Sequence, residues 1–196
     1  MNYANAVEFV PFNKIQSQNK LLPYIQKYYE GENLGELYIA LIKDKFGDEV
    51  VVSVQLHKFI MDLDTSVNLK LFFDEITPST AALAYKWSEE MMVLHDINSL
   101  KRRRWHGSIL LRQALVLCRL MNEYTLKRNQ KFIEEYKDNL EILNYVNNNI
   151  TNYVRPLIQT LEGEVAPDPT IPMDGLRSFY TYNNGLKDDR VSFEVY

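Results

Sequence analysis

Apolar and polar positions divide the chain into a long middle with helical spacing and two ends with a shorter period. Between residues 130 and 161, Phe132, Tyr136, Leu140, Leu143, Val146, Ile150, Val154, Leu157 and Leu161 recur every three or four positions. That spacing lines one face of a helix, and Pro156 within it predicts a kink. A second helix is predicted over residues 100–127, with Asn98 or Ser99 as its N-cap. A turn near Arg128 and Asn129 would fold the two into a long antiparallel hairpin. Shorter helices are predicted over residues 20–29, ending at Gly31, and over 34–46, ending at Gly47. Two more are predicted over 67–75 and over 80–95, the latter after the turn signal Thr77-Pro78-Ser79-Thr80.

Residues 48–64 admit two readings. Val50, Val51, Val52 and Val54 favour a strand. Val52, Leu56, Phe59, Ile60 and Leu63 instead keep helical spacing behind Asp48 as a cap, and helix is the reading adopted. The ends differ. Val7-Glu8-Phe9-Val10-Pro11-Phe12 alternates around Phe9 and contains a proline, which describes an edge strand or an extended arm. After Gly163, the run Ala166-Pro167-Asp168-Pro169-Thr170-Ile171-Pro172 reads as an extended linker. Phe179-Tyr180-Thr181-Tyr182 and Val191-Ser192-Phe193-Glu194-Val195-Tyr196 then flank Asn183-Asn184-Gly185, a β-hairpin signal. The expected organisation is an extended arm over 1–18, a helical domain over 19–163, and a linker with a C-terminal β-hairpin arm over 164–196. The expected fold class is mainly α: a helical bundle with one long antiparallel helical hairpin and short β arms.

Composition changes this picture little. With 196 residues, 46% hydrophobic and 24% charged, the chain suits one globular domain with a sizeable core. A net charge of −4 provides no global attraction to nucleic acid or anionic lipid. Cys118 is the single cysteine, which excludes an intrachain disulfide and favours a reducing compartment. Neither a secretory signal nor a membrane-spanning run is expected, so the expected location is cytoplasmic.

The most enzyme-like string is Phe59-Ile60-Met61-Asp62-Leu63-Asp64-Thr65-Ser66-Val67. Over these nine residues it resembles the first motif of haloacid-dehalogenase-type phosphatases, departing from it where Thr65-Ser66 replaces the loop-shaping glycine or threonine pattern. The resemblance implies a nucleophilic role for Asp62, a proton-handling role for Asp64, and a sheet of parallel strand–helix units. A helix end capped by Asp64 and Thr65 is the simpler account. His57, His95 and His106 are scattered, and none has a second ligand at helical spacing, so no metal site is expected. No glycine-rich phosphate loop occurs and no cofactor is called for. Cys118 lies within an apolar helix and reads as a core residue.

The strongest contact signal is Lys101-Arg102-Arg103-Arg104-Trp105. Cations at a helix N-terminus oppose its dipole, so a phosphate backbone or an acidic partner surface should offset the cost, with Trp105 available for stacking. Arg104, Arg112 and Arg119 share one narrow stripe of that helix, while apolar residues cover most of its remaining circumference. Such a helix should be buried against several neighbours, its arginine stripe lining a groove or interface. The aromatic residues of the arms, Phe9, Phe12, Phe179, Tyr180, Tyr182, Phe193 and Tyr196, are candidate anchors on partner subunits. Their alternative use is a small local sheet.

The function expected from these features is a non-enzymatic structural subunit of a multi-chain assembly, a homo-oligomer with further protein partners. A helical body with extended arms resembles, in architecture alone, the head-to-tail connector subunits of tailed bacteriophages. That likeness implies a place in the virion. A nucleic-acid-associated or regulatory protein using residues 101–105 is the alternative, and a phosphohydrolase the remote one.

Overall fold

The computed structural model describes residues 6–56, 64–74, 77–86, 89–100, 104–149, 154–164, 186–187 and 190–195. Its centre is a nine-stranded sheet in the order β1-β2-β3-β4-β5-β6-β7-β9-β8. The strands are β1 (Val10–Pro11), β2 (Leu37–Lys43), β3 (Glu49–Gln55), β4 (Asp64–Phe72), β5 (Ser79–Lys86), β6 (Met91–Asn98), β7 (Thr160–Glu164), β8 (Leu186–Lys187) and β9 (Arg190–Glu194). Three α-helices stand among the described residues: α1 (Leu22–Tyr28), α2 (His106–Glu135) and α3 (Leu140–Asn148). Every strand pair is antiparallel except β6 with β7, which is parallel and bridged by the α2–α3 crossover.

The expectation of a mainly α fold, a helical bundle, is therefore overturned: the molecule is mixed α and β. Residues 37–43, 49–55, 64–72, 79–86 and 91–98 are strands where helices had been expected at 34–46, 48–64, 67–75 and 80–95. Both faces of the sheet are covered around β2 and β3, which explains the misreading there. Ala40, Ile42, Val50, Val52 and Val54 join the core beneath α2, while Leu37, Ile39 and Val51 join Leu21, Ile25 and Tyr29 on the α1 side. A strand buried on both faces loses its apolar–polar alternation, and a run such as Leu37-Tyr38-Ile39-Ala40-Leu41-Ile42 then imitates a helix. In β5 the alanines Ala81, Ala82 and Ala84 favour a helix by propensity. Tertiary packing overrides them, with Ala81, Leu83 and Tyr85 buried and their neighbours half-buried. β4 carries a legible alternation, with Val67, Leu69 and Leu71 inward and Ser66 and Asn68 exposed.

The expected long helical hairpin is corrected too. Arg128 and Asn129 lie inside α2, which continues to Glu135, and the chain turns at residues 136–139 instead. Pro156 sits in a non-helical segment ahead of β7, so it kinks no helix. The helical bundle on which the likeness to connector subunits rested is accordingly not the fold of this chain. The N-terminal segment lies under α2 and then pairs as β1 with β2 at one sheet edge. β9 and β8 close the other edge beside β7.

Helix α2 sits across the sheet and touches β4, β5, β6 and β7. Between His106 and Cys118 every residue but Arg112 is buried. Three carboxamides fasten extended chain to this helix. Gln113 accepts from the Val7 N–H at 3.2 Å and donates to the Val7 carbonyl at 2.8 Å. Asn122 does the same to Ile158 (2.8 and 3.0 Å), and Asn129 to Arg155 (3.1 and 2.8 Å). Each amide supplies the donor–acceptor pair a neighbouring strand would otherwise provide. Seven helical residues rise about as far as three extended ones, roughly 10 Å, which matches Asn122–Asn129 to Ile158–Arg155.

Candidate functional site

The five residues linking β2 to β3, Asp44-Lys45-Phe46-Gly47-Asp48, form a tight loop with Gly47 in the left-handed region at φ 84°. Asp44 organises it. Its Oδ1 accepts the N–H groups of Phe46 (2.8 Å) and Asp48 (3.1 Å), and its own N–H donates to the Asp48 carbonyl at 2.9 Å. The other carboxylate oxygen lies 3.0 Å from Arg104 Nε and 3.7 Å from His106 Nε2. Arg104 also donates through Nη1 to Asp48 Oδ2 at 3.0 Å, and its Nη2 contacts the same oxygen. The guanidinium carbon stands 4.1 Å from the centre of the Phe73 ring and 5.0 Å from that of Phe46.

This arrangement staples the hairpin loop to the start of α2. The Asp44 and His106 side chains are fully enclosed. Removing Arg104 would leave the buried Asp44 charge without its ion-pair partner. Trp105, directly before α2, takes a left-handed conformation at φ 66°, and its carbonyl accepts the Ile109 N–H at 2.8 Å. The corner turns two large aromatic side chains outward: Phe46 is 64% exposed and Trp105 is 43% exposed. Lys45 Nζ stands 5.9 Å from the Phe46 ring centre and 5.6 Å from that of Trp105. Chemically the site offers a cation between two aromatic faces, on a backbone held from beneath.

The residues expected to make contacts separate into groups. Arg104 and Trp105 belong to this corner, whereas Lys101, Arg102 and Arg103 lie outside the described residues. Arg112 is half-buried, and Arg119 reaches Glu8 at 3.4 Å. Arg104 stands ahead of α2 and meets the β2–β3 loop, whereas Arg119 on the helix meets Glu8 of the N-terminal segment. Phe9 and Phe193 are buried in the chain's own core, and Phe12 packs half-buried against the α1-side cluster. Phe179, Tyr180, Tyr182 and Tyr196 fall outside the described residues, as do Asp62 and His57. Asp64 opens β4, which pairs antiparallel with both β3 and β5, a setting unlike the parallel sheet that the phosphatase motif requires.

Other reactive groups are enclosed. Burial pushes the Cys118 thiol up to about 12, so little thiolate forms at neutral pH. Tyr29 Oη lies 2.8 Å from Ser53 Oγ in the α1-side core, and burial raises the Tyr29 phenol to about 12, opposite to the shift a nucleophile or base needs. Among the described residues no group of three or more His, Cys, Asp or Glu side chains is placed to hold a metal ion, and no helix is long and apolar enough to cross a membrane. Sequence reasoning missed Lys45, Phe46, Asp44 and Asp48, because the loop and Arg104 are 56 residues apart along the chain at Asp48. The one local signal was Asp-x-x-Gly-Asp between two apolar runs. Comparisons with protein-family models, with curated proteins and with solved structures each returned no match.

Proposed function

We propose that this protein is a non-enzymatic contact subunit of a multi-chain assembly, and that a protein partner seats on the corner formed by Lys45, Phe46 and Trp105. The observation that carries this reading is the exposure of two large aromatic side chains on a loop pinned by the Asp44–Arg104 ion pair. Aromatic anchors dominate binding energy at protein interfaces, and a preformed backbone lowers the entropy lost on docking. The enclosed Cys118 and the Tyr29–Ser53 pair fit a structural role equally well. The test is the native mass of the assembly isolated from its source cells, by light scattering. Phe46→Ser with Trp105→Ser should release the subunit while its circular dichroism is unchanged; an assembly of unaltered mass refutes the reading.

A second reading is favoured by one specific feature, the lysine shared between two exposed rings. Alternating cation and aromatic faces suit single-stranded nucleic acid, whose bases stack on the rings. Against it, Arg104 is already paired with Asp44 and Asp48. Salt-dependent binding of a fluorescent oligonucleotide, lost in the same double variant, would favour this reading over a protein partner.

A further inference from the structure

Helix α2 is longer than the core it serves. Its 30 residues span about 45 Å, yet no residue beyond Met121 is buried. On this overhanging part Leu126 and Ile133 are 43% and 46% exposed. They lie seven residues apart, hence on one stripe at about 100° per residue. One flank of the stripe carries Asn122 and Asn129, already occupied by the segment around Arg155 and Ile158. The other flank carries Glu123 and Gln130 on the helix, with Lys137 just past its end, all exposed.

These flanking residues are self-complementary. Glu123 precedes Gln130 by seven positions and Lys137 follows it by seven. An antiparallel copy related by a two-fold axis at Gln130 therefore brings Glu123 beside Lys137 of the partner subunit, twice. The same axis brings Leu126 within one residue's rise, about 1.5 Å along the helix, of Ile133 of the partner subunit. A two-fold interface requires this reciprocity of one surface patch, and antiparallel helices packing along an apolar seam with charged flanks satisfy it. The in-chain contact of Lys137 with Glu134 at 2.8 Å is no obstacle, because both side chains are more than half exposed and such pairs contribute little.

We infer that the overhanging end of α2 is a homodimer seam, closed by a second copy of this chain running antiparallel across Leu126 and Ile133. The seam is separate from the corner at Phe46 and Trp105, so either can fail without the other. Sedimentation velocity of the full chain across a concentration series tests it. The expected result is a monomer–dimer equilibrium whose dissociation constant rises at least about tenfold in Ile133→Asp. Glu123→Lys and Lys137→Glu alone should each weaken the dimer at least about threefold. The two reversals together should restore it, and Phe46→Ser with Trp105→Ser should leave it unchanged. A monomer at every concentration overturns the inference, as does a dimer indifferent to Ile133→Asp or one that the paired reversal fails to restore. Glu123 and Lys137 are both exposed, so the charge reversals stand as a test even if Ile133→Asp perturbs folding.

Discussion

Asp44 and Arg104 meet at 3.0 Å beneath the corner, joining the β2–β3 loop to the residue pair that opens α2. The Asp44 side chain is fully enclosed, so its carboxylate has no bulk water as an alternative partner, and the Arg104 side chain is only 18% exposed. The contact therefore fixes where Phe46 and Trp105 point.

Arg104→Ala should destabilise the fold by about 3–5 kcal/mol, because it strands the Asp44 carboxylate in the interior. Arg104→Lys should recover only part of that loss, since one ammonium cannot reach both Asp44 and Asp48 as the planar fork does. Urea denaturation of the three proteins, followed by circular dichroism, checks the order.

Asn122→Ala should cost about 1–3 kcal/mol, because the Ile158 N–H and carbonyl both lose their partner. Hydrogen exchange at the Ile158 amide should accelerate in this variant, while exchange in β2 and β3 stays slow. Asn122→Asp retains the acceptor for the Ile158 N–H and loses the donor, so its exchange should be intermediate.

Gly163→Ala should be poorly tolerated. A Cβ at this position would stand 2.7 Å from the Leu94 backbone oxygen in the parallel β6–β7 pair. Relief requires the two strands to separate locally, at about 1–3 kcal/mol. A lowered thermal midpoint checks it.

Alkaline pH should weaken the fold from about pH 9 upward. Burial raises Cys118 from 9.0 to about 12 and Tyr29 from 10.0 to about 12, so the folded state holds these protons more tightly than the unfolded chain. Their neutral forms are compatible with burial below the unfolded values, and the unfolded state gains as pH rises toward 12. The urea midpoint should fall across that window. Alkylation of Cys118 by iodoacetamide at pH 8 should be negligible until the protein unfolds.

What was legible in the sequence follows from local physics. The helical character of residues 106–127 could be read because an apolar circumference with few interruptions has one compact solution, a helix surrounded by neighbours; its continuation to Glu135 could not. α1 could be read as well, through its stop at Gly31. β2 and β3 could not, because the two layers covering them remove the alternation that marks a strand. β5 was hidden by its alanines, although the alternation in β4 was present and outweighed. For the corner, Arg104 and Trp105 stood out as a cationic–aromatic sequence. Their partners did not, since the loop that completes the site is brought to them only by the sheet.

The quenching of Trp105 by acrylamide tests the proposed contact most directly. The chain has two tryptophans, and a Trp87→Phe background leaves Trp105 as the sole reporter. In the isolated subunit Trp105 should be readily quenched. In the intact assembly its quenching should fall severalfold, with a blue-shifted emission, because the partner covers the ring. Equal quenching in both states would contradict the account.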